Sequence, residues 1–239
     1  MHTQYRLYRH TYNRLLWHIR YHKPFSFSRW GDGEMNSVIG SRIHQKNCDK
    51  HTFFPEMGKQ LKQILLSKPP YMMGLLNLNR HIYTVGPPGT PWKRAKEILG
   101  PFLRRNGLVN YPWYSAEVFY NAATNNNLHP LIRSLNRRNV IMVGPQHLTQ
   151  TQTIKVQHHV TIPTVDCFLN VDEIYDNIIT ILNSQPEHNF VVSLSAGMPS
   201  CILIDRLYKS HGNFHSFVDF GSVWDPFVGV LSRRHMRNK

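Results

Sequence analysis

The chain has 239 residues, a length typical of one large α/β domain. Lys and Arg number 28 against 14 Asp and Glu, and the formal charge of +14 indicates a polyanionic partner: nucleic acid, an anionic surface or a phosphorylated ligand. Three cysteines without CxxC spacing argue against a disulfide scaffold, and without a secretory signal or a run of about 20 apolar residues we expect a cytoplasmic protein with no membrane span.

The first half of the chain predicts helices around two strands. Residues 1–23 read as an amphipathic helix with a basic exposed side, because tyrosines and leucines recur at helical spacing among four arginines. "FSFSR" predicts a strand, and "GDGEMNSVIG" a turn that enters a helix. A helix from Glu56 to Ser67, a strand through "YMMGLL", a Gly/Pro-rich loop over 77–91 and two or three helices between Trp92 and Arg138 follow.

The second half alternates regularly between strands and helices. "NVIMVG" and "VTIPTV" predict strands, a helix begins near Asp172, "NFVVSLSAG" is a strand and turn, a helix closes on Gly212, and "FHSFVDFG" is the last strand. This order predicts an α/β, Rossmann-like fold with a mostly parallel sheet and helices on both faces. We expect residues 1–239 to form one domain with a basic tail over 232–239, and ligands to bind beyond the carboxyl ends of the strands.

The segment "SRWGDGEMN" carries the sharpest local pattern. In an extended or turning backbone, Asp32 and Glu34 can approach one hard cation, and Mg²⁺ and Mn²⁺ favour such oxygen ligands. Gly31 and Gly33 leave room for a diphosphate, and Arg29 can bind a phosphate with its planar guanidinium. The alternative is an ordinary strand-to-helix turn, with Asp32 as the N-cap and Glu34 favouring the helix dipole.

Three later strand ends add further donor-binding candidates. After "NVIMV", a turn with polar residues can hold a nucleotide base or ribose, and "SLSAGMPS" can expose backbone amides to phosphate without the lysine of a P-loop. The last strand ends in an acidic residue for which a capping role is the alternative. These candidates are Gly144, Gln146, His147, Ser195, Gly197 and Asp219.

The motif "FSFSRWGDGEMNSVIG" resembles the N-terminal signature of GT-D-type glycosyltransferases, and "NVIMVGPQ", "VVSLSAGMPSCILIDRLYKSHG" and "FVDFGSVWD" are similar to later strands of that family. The resemblance covers roughly Phe25 to Asp225. It implies that Asp32 and Glu34 form the Asp-x-Glu motif that binds a divalent metal, Mn²⁺ or Mg²⁺, and the diphosphate of a UDP-sugar. Asp219-Phe220-Gly221 fits the family's Asp-x-Gly at the end of the last strand.

The resemblance implies a metal-dependent hexosyltransferase, and a further group must position or deprotonate the acceptor hydroxyl. Four side chains are candidates for that role: Glu34, Asp219, His147 and Glu117.

Charge favours an acceptor on nucleic acid, such as a 5-hydroxymethylpyrimidine in DNA modified by a phage-type enzyme in the host cytoplasm. Aromatic residues available for base stacking support this interpretation, with packing in the core as the alternative for each ring. They are Trp30, Trp92, Trp113, Tyr114 and Trp224. One alternative is glycosyl transfer in the biosynthesis of a surface glycan or glycoprotein, with the basic face on an anionic membrane or polymer. Another is a non-catalytic, Rossmann-like nucleic-acid-binding module.

Overall fold

A computed structural model describes residues 8–40, 52, 54–79, 84–86 and 93–232 of the chain. The strands in these ranges are β1 (Ser26–Trp30), β2 (Met72–Leu75), β3 (Thr84–Val85), β4 (Lys93–Arg94), β5 (Tyr114–Ser115), β6 (Asn139–Pro145), β7 (His158–Ile162), β8 (Phe190–Leu194) and β9 (Ser216–Asp219). Seven of them form one sheet in the order β5-β2-β1-β9-β8-β6-β7, and every pair in it is parallel. β3 and β4 form a separate antiparallel pair.

Helices cover both faces of the sheet, as the alternating pattern predicts. They are α1 (Tyr8–Arg20), α2 (Asp32–Val38), α3 (Pro55–Ser67), α4 (Ala95–Arg105), α5 (Val118–Thr124), α6 (His129–Leu135), α7 (Val171–Ser184) and α8 (Pro199–His211). Apolar side chains of α1, α5 and α6 form one buried cluster, and those of α2, α3, α4, α7 and α8 form the other. The predicted α/β fold is therefore confirmed.

Strand β1 shows how side chains are distributed between the two faces. Phe27 belongs to the cluster on the α1 face, whereas Trp30 belongs to the opposite cluster and donates a hydrogen bond through Nε1 to Ser28 Oγ, 3.0 Å away. Because successive side chains of a strand alternate between faces, Arg29 shares the face of Phe27. The arginine therefore lies at the carboxyl end of β1 on the α1 face.

Helix α1 runs beside the sheet with its basic side outward. Its buried residues include Thr11 and Ile19, and Arg14 is exposed. The Ser115 N–H of β5 donates to Thr11 Oγ1 at 3.1 Å, and Arg138, which precedes β6, donates from Nη1 to the Ile19 carbonyl at 2.8 Å. The helix thus extends from the carboxyl ends of the strands at its start to their amino ends at its finish.

Several elements differ from the prediction. The short edge strand β5 carries too few residues to show a period of two, and it was predicted as part of a helical region. Strand β7 begins and ends earlier than "VTIPTV", because its carboxyl end stops before Pro163. A 3₁₀ helix over Gly221–Val228 follows β9 where no element was expected. The predicted basic tail lies outside the described residues from 233 onward, as does most of the loop over 77–91.

The predicted aromatic stacking residues pack inside the protein. Trp30, Trp113 and Trp224 are fully buried and Tyr114 is nearly so, whereas Trp92 lies outside the described residues. The hypothesis that these rings stack on nucleic-acid bases is therefore wrong for the four described ones, because burial of a large apolar surface in the core is favoured. Exposed rings on α1 and just beyond it are Trp17 and Tyr21. Within the described ranges, no helix is long and apolar enough to cross a membrane.

Candidate active site

The order of the strands reverses between β1 and β9. From β1 the chain proceeds outward to β2, and its last strand β9 returns to the other side of β1. Helix α2, which follows β1, packs on one face, while the 3₁₀ helix Gly221–Val228 after β9 packs on the other. The two connections therefore separate at the carboxyl ends of β1 and β9, and such a switch point is where parallel α/β sheets bind ligands.

An ion pair crosses this switch point. Arg29, at the end of β1, donates from Nη2 to Oδ1 of Asp219, the last residue of β9, at 3.1 Å. The Asp219 side chain is 3% exposed and that of Arg29 is 24% exposed. The guanidinium thus reaches solvent while its carboxylate partner is enclosed, and both predicted donor-binding residues meet although 190 positions separate them.

Gly221 holds the guanidinium from the α1 face. Its φ of +58° is unfavourable for residues with a side chain, and a Cβ atom built there would lie 2.0 Å from Arg29 Nη2. The family-like Asp-x-Gly at 219–221 thus places a carboxylate and a side-chain-free backbone against one arginine. Glycine at 221 is needed both for the backbone angle and for the space that Arg29 occupies.

The first turn of α2 holds the predicted Asp-x-Glu motif. Gly31 is the N-cap, and its N–H donates to Glu34 Oε2 at 2.8 Å, while the Gly33 N–H donates to Asp32 Oδ1 at 3.1 Å. Asp32 is therefore the first helical residue and not the N-cap that the alternative interpretation assigned to it. Of the extended or turning backbone predicted for this segment, the structure shows a turn of helix, in which residues two positions apart do not face each other. Binding of a metal by Asp32 and Glu34 remains a prediction.

The carboxylates of Glu34 and Asp219 both influence a buried thiol in α8. The thiol of Cys201, in α8, donates to the Arg29 carbonyl at 3.3 Å and is fully buried. Burial raises the pKa of this thiol, and the carboxylates of Glu34 and Asp219 raise it further because a thiolate beside them is disfavoured. Two acidic side chains from distant parts of the sequence thus both disfavour ionisation of this buried thiol.

The connections after β6 and β8 pack closely together. A Cβ at Gly144 would lie 2.6 Å from Leu148 Cδ1 and 3.2 Å from Ser195 Cβ, and the Ser195 N–H donates to the Val143 carbonyl at 2.8 Å. Gly144 is buried, and Gly197 turns the chain into α8. The structure therefore explains Gly144 by packing, and its contact with a donor remains a prediction.

Two polar atoms near the switch point are buried without a hydrogen-bond partner in the described part of the chain. They are Nε of Arg29, in β1, and Oγ of Ser195, in the connection after β8. Buried polar groups normally have partners, so such atoms indicate a position where a ligand or water supplies the missing bond. Both residues are among those that the sequence predicts to bind the donor.

His147 contacts a carboxylate other than the one paired with Arg29. Gln146 is exposed at the start of the 3₁₀ helix Gln146–Gln150, and His147 Nε2 lies 3.0 Å from Oδ1 of Asp225. Asp225 belongs to the 3₁₀ helix after β9 and was not among the predicted site residues. The signal for it was an acidic residue in the otherwise apolar stretch "SVWDPFVG".

Comparison with known proteins agrees with the fold described above. The model of the GT-D fold-like domain family matches residues 8–227. A solved structure of the domain of unknown function 1792, described as having a distinct glycosyltransferase fold, superposes with a TM-score of 0.59 at 14% identity, covering 92% of this chain and 84% of the other. The selenomethionine-substituted structure of that domain gives a TM-score of 0.60 at 15% identity with the same coverage. No curated protein matches the sequence significantly.

The chain belongs to the GT-D-like family, since the family model covers nearly its whole length. The predicted family resemblance is therefore confirmed. Membership of this family supports a glycosyltransferase.

Proposed function

We propose that this protein transfers a sugar from a UDP-sugar to a hydroxyl group on DNA, with a divalent metal at the donor diphosphate. The observation that carries the donor half is the Arg29–Asp219 pair across the switch point in a chain of the GT-D-like family. A guanidinium that reaches solvent and keeps a buried, unpartnered Nε is suited to bind phosphate oxygens. Ser195 Oγ, also unpartnered, offers a further polar contact.

The carboxylates at the switch point fit Mg²⁺ or Mn²⁺ in chemistry. Among the described residues no group of three or more His, Cys, Asp or Glu side chains forms a complete metal cage. Mg²⁺ commonly uses one or two carboxylates and fills its remaining positions with substrate phosphates and water. Asp32 or Glu34 would hold such an ion. Bound there, the metal would neutralise charge on the departing diphosphate.

The acceptor half rests on charge. The excess of Lys and Arg gives +14, and α1 has no acidic residue while Arg9, Arg14 and Arg20 are exposed along it. Beside them Trp17 and Tyr21 are 48% and 57% exposed. Arginines that neutralise phosphates next to exposed rings are typical of surfaces that bind nucleic acid. A 5-hydroxymethylpyrimidine would supply the hydroxyl group.

The test has two stages. UDP-sugars and GDP-sugars are titrated calorimetrically with Mn²⁺ and with EDTA, and we expect a UDP-sugar to bind more tightly with the metal. Labelled sugar from a mixed donor pool is then offered to DNA containing 5-hydroxymethylcytosine or 5-hydroxymethyluracil, beside unmodified DNA. Mass spectrometry of the nucleosides should show a hexose-sized increment on the hydroxymethylated base alone, and Asp32→Asn should lose it.

The two halves of the proposal fail separately. If the donor binds equally tightly with EDTA and with Mn²⁺, arginines alone contact the phosphates and no metal does. Donor turnover with no labelled DNA, together with labelling of a glycan or lipid-linked acceptor, would overturn the DNA half and favour biosynthesis of a surface glycan. DNA binding without any donor binding would favour the non-catalytic module.

A further inference from the structure

His147 and Asp225 form a pair between two 3₁₀ helices, each of which follows a strand of the sheet. Gln146–Gln150 follows β6, Gly221–Val228 follows β9, and the two pack against each other. His147 Nε2 is 3.0 Å from Asp225 Oδ1. The Asp225 side chain is 8% exposed, whereas that of His147 is 27% exposed. The imidazole can therefore meet a ligand, and the carboxylate behind it cannot.

Hydrogen bonds fix the segments that precede and follow Asp225 in the sequence. Trp224 is fully buried and donates from Nε1 to Ser193 Oγ of β8 at 3.0 Å. The Val230 N–H donates to the Asp225 carbonyl at 2.9 Å, and the Gly229 N–H donates to the Pro226 carbonyl at 3.2 Å. On the other side of the pair, buried Leu148 anchors the segment that carries His147. The hydrogen bond between His147 and Asp225 therefore joins two fixed backbones.

The same 3₁₀ helix connects this pair to Arg29. It begins at Gly221, whose backbone packs against the guanidinium, and reaches Asp225 four residues later. Ser222 interrupts the regular geometry of this segment, but only four positions separate Gly221 from Asp225. The segment that packs against Arg29 therefore also carries the carboxylate that contacts His147.

The other candidate bases already have different positions or partners. Glu34 Oε2 accepts from the Gly31 N–H, and Asp219 Oδ1 accepts from Arg29. Glu117 follows β5, the edge strand on the far side of β1. His147 therefore differs from them in having an exposed imidazole oriented by a carboxylate.

We propose that His147 accepts the proton of the acceptor hydroxyl, with Asp225 orienting its ring; this role rests on the proposed transferase function. A carboxylate accepts hydrogen bonds, so it favours the tautomer with the proton on Nε2 and leaves Nδ1 as the base. The acceptor oxygen forms its bond to the anomeric carbon. The bond from that carbon to the diphosphate oxygen breaks, its electron pair leaves with the diphosphate, and the hydroxyl proton moves to Nδ1.

In the described part of the chain, few titratable side chains lie on the elements that pack against the segment of His147. The 3₁₀ helix after β9 brings Asp225, and β6 has no titratable side chain. Strand β7 carries His158 and His159 at its amino end, whereas its carboxyl end, Thr161 and Ile162, lies beside Gly144 and Pro145. An acidic limb in the rate profile that depends on His147 would therefore report the His147–Asp225 pair.

The test measures release of UDP from a UDP-sugar to water, so that it does not depend on the identity of the acceptor. His147→Gln keeps an amide that can bind Asp225 but removes the base. We expect donor affinity within about twofold of wild type and a turnover lower by roughly 10²-fold or more, the usual contribution of a general base. The pH dependence of turnover should differ between wild type and His147→Gln, Asp225→Asn should lower turnover with donor affinity unchanged, and imidazole should partly restore His147→Ala. His159→Gln, at an exposed position of β7, is the matched control.

Each other outcome has a definite meaning. Unchanged turnover and an unchanged pH profile in His147→Gln, with a native unfolding midpoint, would overturn the proposal. Weaker donor binding with unchanged turnover would also overturn it and return His147 to the donor-binding role that the sequence predicts. Failure of the wild-type protein to bind any nucleotide-sugar would instead contradict the proposed transferase function.

Discussion

The connections after β1 and β9 and the exposed side of α1 have opposite charge patterns. The first turn of α2, the end of β9 and the 3₁₀ helix after β9 contain Asp32, Glu34, Asp219 and Asp225, four of the chain's 14 acidic residues. Helix α1 has no acidic residue and exposes three arginines. In a protein of charge +14, the carboxylates are thus concentrated where donor chemistry is proposed, and positive charge is presented on a separate surface.

This difference indicates a division of labour that mutations can separate. Carboxylates at the switch point are mostly enclosed and hydrogen bonded, so changing them alters local chemistry. Arginines on α1 are exposed and act through long-range, salt-dependent attraction. Substitutions after β1 and β9 should therefore affect turnover and donor binding. Substitutions on α1 should affect only the affinity for a polyanion.

The largest effect is expected for Glu34→Gln. Glutamine can preserve the capping hydrogen bond from the Gly31 N–H, since Gln serves in capping boxes as Glu does, while the negative charge is lost. We expect kcat/KM to fall by roughly 10²- to 10³-fold, as when one charge-stabilising group is removed from an active site. Steady-state kinetics at saturating Mn²⁺ measures this.

Glu56→Gln is its matched control, because Glu56 lies in the exposed first turn of α3 and loses the same charge. Near-wild-type turnover in Glu34→Gln would reduce Glu34 to a structural cap and contradict its assignment to the donor site. Equal losses in both variants would mean that net charge, and not the switch point, controls the rate.

A smaller effect is expected for Gly221→Ala compared with Gly229→Ala. Both glycines have positive φ, so both variants incur backbone strain of about 1 kcal/mol or more. A Cβ at 221 collides with Arg29, whereas a Cβ at 229 meets nothing within 4 Å. We expect similar losses in the unfolding midpoint but roughly tenfold weaker UDP-sugar binding in Gly221→Ala alone, from displacement of one charge-assisted hydrogen bond. Equal donor affinities would exclude Arg29 from donor binding.

The regular second half of the fold could be predicted because its central strands β6 and β8 are mostly apolar runs bounded by turns. The strand "NVIMVG" is an example, and β6 occupies Asn139–Pro145. Two-residue strands such as β5 carry no period, and a 3₁₀ helix rich in aromatics resembles an apolar loop. The elements that escaped prediction are those whose conformation depends on neighbours distant in the sequence.

For the candidate site, the sequence could propose residues but not their pairings. Arg29 and Asp219 were both predicted, yet their contact follows from the placement of β9 beside β1, which no local pattern specifies. The same holds for His147, whose partner Asp225 lies 78 positions away. At Asp32 and Glu34 the spacing left the backbone open, and the structure shows a helix that begins at Asp32, in which the two side chains do not face each other.

The smallest effect, and the sharpest test of the separate basic surface, is expected for Arg14→Ala combined with Arg20→Ala. Each lost phosphate contact should make the dependence of log K on log salt shallower by about 0.9 for duplex DNA, so the double variant should lose roughly 1.8. Fluorescence anisotropy with a labelled duplex between low and physiological salt measures the slope, and UDP-sugar affinity should not change.

Lys62→Ala combined with Lys96→Ala removes the same charge from exposed positions on α3 and α4 and is the control. If both double variants flatten the slope equally, DNA senses only the net charge of the protein, and α1 is no specific surface; if only the α1 variant does so, the polyanion lies along this helix.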